Sequence, residues 1–417
     1  MTEFSKIPEA LTLQILLRLP PKSLMRFKCV HKSWQTLMKD SNFMANHFST
    51  SMHNNVCSTI GVLFKRENFK RPDSTWENES ESIISLINIS KPDGGDIHCL
   101  VEDVTEGQLI GFEALESAWI IGHCHGIICL RNDNKVILWN PAIREVKVTS
   151  PYVPDVFLSN LGIGYDPKSN NYKVVHISNG TREHYGDGHI LFNRPKVEVY
   201  NLGTDSWRQI MTGCLETETT NFWFKDFHMY FNGFCYWNGI EQLKEYQEYY
   251  DHGENQLPKP VIISFDMGDE VFHTMLLPDF VYEGYMWCYI LRLMAWNESV
   301  AIFGRDFGIT SHESWGLWVM HDSGVGAGCW IKQFSLVTAM GIEKLLQFWK
   351  SDEILIVSTE RRLVSYNLDT EEFKYLTANS MDSDSFEAIV YLNSIVSINL
   401  TREATEINIS REATELP

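Results

Sequence analysis

Four soft or borderline metal ligands, His123, Cys124, His125 and Cys129, fall within seven residues, a grouping that invites zinc. On a strand, however, alternate residues face opposite sides, so Cys124 would point away from His125 and Cys129 and the four cannot converge. Glu183, His184, Asp187 and His189 form a second group around Gly186 and Gly188. A loop could bring these together, but the composition is that of an exposed turn. The Gly324 to Gly328 run lacks the Gly-Lys-Ser/Thr ending of a phosphate loop and opens no helix, so it reads as a hairpin tip. No G-x-S-x-G elbow occurs. Paired carboxylates such as Glu371 and Glu372 sit beside strand turns, with nothing to separate their proton affinities. An enzyme reading therefore has no nucleophile, base or metal to rest on, and no catalytic residue, metal or cofactor is expected.

Recognition chemistry is better represented. Between residues 240 and 260, Glu241, Glu245, Glu248, Asp251 and Glu254 outnumber Lys244 and Lys259 and are interleaved with Tyr246, Tyr249 and Tyr250. Acidic groups mixed with tyrosines suit a basic protein partner. Glu241, Glu245, Tyr246, Glu248, Tyr249 and Asp251 are the candidate substrate-binding residues. Their segment is one of four long stretches that read as inter-strand loops, the others being 101–118, 178–195 and 213–228.

The elements that would carry such loops announce themselves by period. After residue 55 the pattern alternates, with short β-rich runs between turn residues. Lys135-Val-Ile-Leu-Trp139-Asn140, Lys196-Val-Glu-Val-Tyr200-Asn201, Val261-Ile-Ile-Ser-Phe265-Asp266 and Arg362-Leu-Val-Ser-Tyr366-Asn367 each end in an aromatic followed by Asn or Asp. Val146, Trp207, Phe272 and Phe373 come six residues after the Asx. A strand, a turn opened by an Asx side chain, and an anchored return strand account for the unit. A weaker copy at Val319 to Asp322 has its second aromatic displaced to Trp330. Spacings of 61, 65, 56 and 45 residues between Asx positions 140, 201, 266, 322 and 367 suit four-stranded blades. Strands near Gly61 to Lys65 and Ile83 to Ile89 could join Ala388 to Ile398 and close a further blade. The expected fold is mainly β with a small α domain: three N-terminal helices (1–48), then a β-propeller of about six blades (55–398), with a β-sandwich as the alternative. Residues 399–417 hold a nine-residue unit repeated twice, charged and lacking bulk, which reads as a solvated, disordered tail.

From Pro8 to Met38 the pattern is helical. Pro8 suits a first turn, and Pro20 and Pro21 stop one helix and start the next. A second helix should run from about Lys22 to Cys29, and a third should hold Trp34, Leu37 and Met38 and end near Asp40. Leu11, Leu13, Ile15, Leu16, Leu17 and Leu19 put apolar residues on more than one face of the first helix. So much apolar surface exceeds what a bundle of this size buries, which predicts a partner.

Charge divides the same way. The chain has 417 residues and a net charge of −19. Residues 1–50 carry seven basic and three acidic side chains, leaving −23 for the remainder. An acidic bulk argues against reading a phosphate backbone, so no nucleic acid is expected; a basic partner would be attracted. Hydrophobic residues at 44% place the chain in the folded class. No apolar run approaches the roughly 18 residues needed to span a bilayer, so no membrane partner is expected. Nine scattered cysteines without a C-x-x-C pair suit a reduced, cytoplasmic compartment.

The stretch Ile7-Pro8-Glu9, followed by Ile15-Leu16-Leu17-Arg18-Leu19-Pro20-Pro21-Lys22-Ser23-Leu24-Met25-Arg26-Phe27-Lys28-Cys29-Val30-His31-Lys32-Ser33-Trp34, resembles an F-box of the plant type. The resemblance implies docking on a Skp-type adaptor and, through it, a cullin and a RING protein, with Pro8, Leu16, Pro20, Leu24, Val30 and Trp34 forming or supporting the adaptor face. Gly122-His123-Cys124-His125-Gly126-Ile127-Ile128-Cys129-Leu130, Trp139-Asn140-Pro141-Ala142-Ile143-Arg144-Glu145, Leu161-Gly-Ile-Gly-Tyr165-Asp166 and Phe265-Asp266-Met-Gly268 resemble pieces of the kelch-like F-box-associated domain. Together they are most similar to S-locus F-box proteins of the rose family. That likeness implies a non-catalytic substrate receptor of an SCF-type ubiquitin ligase in the pollen tube, marking non-self pistil S-ribonucleases in self-incompatibility. An F-box protein of another pathway, a non-degradative adaptor-binding scaffold and a propeller enzyme are the rival readings.

Overall fold

The computed structural model describes residues 7–53, 60–70, 79–90, 98–104, 118–132, 135–152, 159–178, 182–184, 189–192, 195–212, 215, 220–243, 245–247, 259–277, 291–305, 314–321, 329–337, 341–349, 352–377 and 385–399. The chain forms two compact units, one of Met1–Thr149 with Tyr375–Pro417 and one of Ser150–Lys374.

The first unit opens with helices α1 (Glu9–Leu17), α2 (Pro21–Phe27), α3 (Lys32–Leu37) and α4 (Ser41–His53). Prolines, having no N–H to leave unsatisfied, stand at the first two N-caps, Pro8 and Pro20. His31 Nδ1 caps α3 by accepting the Ser33 N–H at 3.2 Å. The fourth helix is an addition to the three expected. Asp40, read above as an end, also opens α4, its carboxylate accepting the Phe43 N–H at 3.0 Å. Leu16, Leu24, Met38 and Phe43 form the buried centre of the bundle.

Two four-stranded antiparallel sheets complete this unit. Strands β1 (Ile60–Lys70), β2 (Glu79–Ser90) and β3 (His98–Val104) are joined by the last strand of the chain, β27 (Ser385–Leu392), in the order β27-β1-β2-β3. Ile60 pairs with Leu392 and Leu63 with Ile389, so the closure expected from the two ends of the chain is present. Strands β4 (Trp119–Cys124), β5 (Ile127–Asn132), β6 (Lys135–Asn140) and β7 (Glu145–Thr149) form the second sheet in sequence order. Leu63, Ile84, Ile128, Ile137, Trp139 and Tyr391 share one core.

His125 is not in a strand, as read above, but in the two-residue turn between β4 and β5 with Gly126, at φ 46° and 82°. A Cβ on Gly126 would lie 2.5 Å from the Leu392 carbonyl oxygen and 2.7 Å from Ser394 Oγ. Gly126→Ala is thus expected to lower the thermal midpoint through both strain and collision, by at least about 1–2 kcal/mol of stability. An unchanged midpoint would contradict the turn geometry.

The second unit holds four further four-stranded antiparallel sheets. These comprise β8 (Ser159–Asp166), β9 (Asn171–Ser178), β12 (Lys196–Asn201) and β13 (Ser206–Ile210); β14 (Thr220–Phe231), β15 (Phe234–Leu243), β17 (Lys259–Asp266) and β18 (Phe272–Leu276); β19 (Arg292–Trp296), β20 (Ser299–Arg305), β21 (Ser314–His321) and β22 (Cys329–Val337); and β23 (Ile342–Phe348), β24 (Glu353–Ser358), β25 (Leu363–Asn367) and β26 (Phe373–Tyr375). With the two of the first unit they make six four-stranded blades among the described residues. Central strands such as β17 and β24 are buried along almost their whole length, because both blade faces are covered; the outer strand β13 buries Trp207 and is otherwise largely exposed.

The Asx turns form as their side chains dictate. Asn140 Oδ1 accepts the Ala142 N–H at 3.1 Å, Asn201 Oδ1 that of Thr204 at 3.0 Å, Asp266 Oδ1 those of Gly268 and Asp269, and Asn367 Oδ1 those of Asp369 and Thr370. Four residues after each Asx the backbone turns left-handed, at Arg144, Asp205, Glu270 and Glu371. The return strand then brings Trp207 beside Tyr200, ring centroids 5.2 Å apart, and Phe272 beside Phe265 at 4.6 Å. Asp322 lies outside the described residues, but Trp330 pairs in register with Met320.

One buried ionic node ties two of these turns together. Lys173 Nζ, its side chain 6% exposed, donates to Asp166 Oδ2 at 2.7 Å, Glu270 Oε1 at 2.8 Å and the Met267 carbonyl at 2.7 Å. Arg208 also reaches Glu270.

Candidate functional site

Helix α1 is apolar nearly all round, and the structure sorts its faces. Leu16 turns into the bundle with Leu13 and Leu17 against it, whereas Ile7, Leu11 and Ile15, spaced four apart, are exposed. Leu24 is fully buried, and Val30 is 60% exposed. Of the six candidate adaptor residues, Pro8, Pro20 and Val30 are thus at the surface, Trp34 is half-buried with its ring edge-on to Phe27, and Leu16 and Leu24 lie inside. Leu11 and Ile15 were missed as surface residues; the four-residue step from Ile7 is the signal that finds them. Arg18, Lys22, Arg26 and Lys32 are exposed around this apolar face, and Lys28 is half-buried. An apolar centre with a cationic rim is the anatomy of a protein-docking surface.

The segments read as loops are partly strands. Strand β3 takes Val101 to Val104, and β14 starts at Thr220. Three short strands, β10 (Arg182–His184), β11 (His189–Phe192) and β16 (Glu245–Gln247), form a separate antiparallel sheet in the order β10-β11-β16. Strands β10 and β11 come from the connection between β9 and β12, and β16 from that between β15 and β17. Both connections join the second and third strands of their blades, and β11 pairs with β16 between them. Glu241 stands near the end of β15, half-buried, opposite Lys259 in register. Glu245 and Tyr246 pair with Leu191 and Ile190. Glu248, Tyr249 and Asp251 lie outside the described residues.

The groups that suggested metal chemistry are placed differently. His123 and Cys124 end β4, while Cys129 sits in β5, buried, its thiol pushed up to about 12 by desolvation. Burial thus favours the neutral thiol over the thiolate. Burial, reinforced by His123, lowers His125 to about 4, and its ring lies tilted against that of Phe48 of α4, centroids 4.5 Å apart. Glu183 and His184 fall on β10 and His189 on β11; Asp187 lies outside the described residues, as does the Gly324–Gly328 run. Among the described residues, no helix is long and apolar enough to cross a membrane.

Comparison with known proteins agrees with this anatomy. Residues 4–46 match the F-box domain and residues 107–398 the F-box associated beta propeller domain. An F-box/kelch-repeat protein of Arabidopsis thaliana is 25% identical over 407 residues, covering 94% of this chain and 96% of the relative. Another F-box/kelch-repeat protein of that plant is 24% identical, covering 58% of this chain and 57% of its own length. An Arabidopsis F-box protein is 28% identical over 49% of this chain and 47% of the relative. With most of its length matched by these two models and six four-stranded blades behind the helices, the chain belongs to the plant F-box proteins whose second part is the F-box associated β-propeller.

Proposed function

We propose that this chain is the substrate receptor of an SCF-type ubiquitin ligase, that its exposed Pro8, Leu11, Ile15, Pro20 and Val30 meet a Skp-type adaptor over the buried Leu16 and Leu24, and that no residue of it makes or breaks a bond during ubiquitin transfer. The observation that carries the reading is the apolar stripe of Ile7, Leu11 and Ile15 left exposed on a bundle whose core is formed by other residues. The receptor raises the local concentration of substrate lysines near the charged conjugating enzyme. Ile15→Asp with Val30→Asp is expected to weaken adaptor binding by about 1,000-fold or more without moving the thermal midpoint, since two central apolar anchors are worth at least about 2 kcal/mol each. Adaptor binding at the parental affinity would overturn the assignment.

The substrate side is the sheet of β10, β11 and β16. Its acidic and tyrosine-rich segment, Glu241, Glu245, Tyr246, Glu248, Tyr249 and Asp251, together with the net charge of −19, favours a basic protein. Residues 1–48 then serve as the docking module and 55–398 as the substrate module, in a cytoplasmic setting. A pistil S-ribonuclease, taken up by a pollen tube, is the substrate proposed from the S-locus resemblance. Pulldown against a panel of such ribonucleases at rising salt tests it: binding to no member removes the substrate class, and binding indifferent to ionic strength removes the electrostatic part.

A further inference from the structure

The six residues after β27 form a strap, and each end of it is held. Asn393 donates to Asn88 at 3.3 Å. Asn140, whose Oδ1 already caps its own turn, uses Nδ2 to donate to the Ser394 carbonyl at 3.2 Å and the Val396 carbonyl at 2.8 Å. Glu145 Oε2 accepts the Ser397 hydroxyl at 2.9 Å and the Ile398 N–H at 2.8 Å. Gly126 leaves room for the strap to pass, as its Cβ-less turn lies against Leu392 and Ser394.

Between those anchors Ile395, 2% exposed, enters the helical bundle and shares its core with Leu16, Leu24, Met38 and Phe43. Elsewhere in the same unit His47 Nε2 meets the Leu19 carbonyl at 2.9 Å within the bundle, and Lys22 Nζ reaches Glu102 of β3 at 3.8 Å. A bundle of this size has few apolar residues to spare, so one buried isoleucine is a substantial part of its core.

We infer that the adaptor-docking module of this chain is completed by its C-terminal strap, Ile395 being the positioning residue that holds Leu16 and Leu24 beneath the docking face. Adaptor docking is thereby conditional on closure of the β27-β1-β2-β3 blade: a chain whose last strand is unpaired presents an unfinished face. This rests on the adaptor reading above, and the test separates the two.

Hydrogen exchange of the full chain reads the helices directly, with no adaptor present. In Ile395→Asp, the amides of α1 and α2 are expected to exchange about tenfold faster or more, while those of β17 and β24 keep their rates. Ile395→Leu restores slow exchange. Adaptor affinity, measured in parallel, falls about tenfold in Ile395→Asp and returns in Ile395→Leu. Unchanged exchange in α1 and α2 overturns the inference, as does an equal rise in β17 and β24. Accelerated helix exchange in a chain whose parent does not bind any Skp-type adaptor keeps the strap and discards the adaptor reading.

Discussion

Lys173→Met is expected to remove about 3–5 kcal/mol from the Ser150–Lys374 unit, because it leaves two carboxylates without their buried cation. Asp166 is 3% exposed at its side chain and Glu270 14%; Glu270 keeps Arg208, but Asp166 keeps only uncharged donors, Ser169 and the Lys168 and Ser169 N–H groups. The same node gives stability a pH dependence. Burial pushes the Asp166 carboxyl up, yet the hydrogen bonds from Lys173 and Ser169 outweigh it and hold the pKa below its ordinary value. A group depressed on folding contributes stability above its unfolded pKa, about 3.9, and loses that contribution as pH falls through the folded value. Urea midpoints of parent and variant should therefore differ widely at pH 7 and converge below about pH 4. Curves equally separated at pH 7 and pH 3 would show that Lys173 does not hold Asp166 charged.

Leu24→Asp should have a comparable effect in the other unit, by a different route. Leu24 is fully buried in a small bundle, and a carboxylate there has no partner. A cost of several kcal/mol, about the whole stability such a bundle commands, unfolds α1 to α3. Adaptor binding vanishes with the helices, as loss of helical circular dichroism would reveal. The surface pair Ile15→Asp and Val30→Asp loses binding with the helices intact. A Leu24→Asp chain that retains its helices but not its adaptor would move Leu24 from the core to the interface.

The blades were legible because their signal is local. An Asx side chain bonds N–H groups two and three residues ahead, and the aromatic before it meets the residue six positions on, so Asn140, Asn201, Asp266 and Asn367 announce hairpins without reference to the rest of the chain. The closing blade was legible too, since Ala388 to Ile398 was apolar and had no neighbour in sequence to pair with. Strands β10, β11 and β16 were not: they are three or four residues each, and β16 is a strand because it meets β11 from more than fifty positions away. Helix α4 was hidden behind Asp40, read as the end of α3 although Asp is a residue type that favours the start of a helix. On α1, five of nine residues are leucine or isoleucine and lie on more than one face, so the four-residue step through Ile7, Leu11 and Ile15 is easily overlooked beside the adjacent Leu16 and Leu17.

The pairing of β1 with β27 sets a clock for the ribosome. Glu67 and Ser385, the least separated pair of that ladder, are 318 positions apart. At about 5–20 residues per second, some 15–60 s of synthesis pass between them. For that interval one edge of β1 has emerged without its partner, open to any other strand in the cell. Chaperone demand during translation, and a steep penalty for any chain that stops short of Ser385, follow from the distance in sequence between β1 and β27.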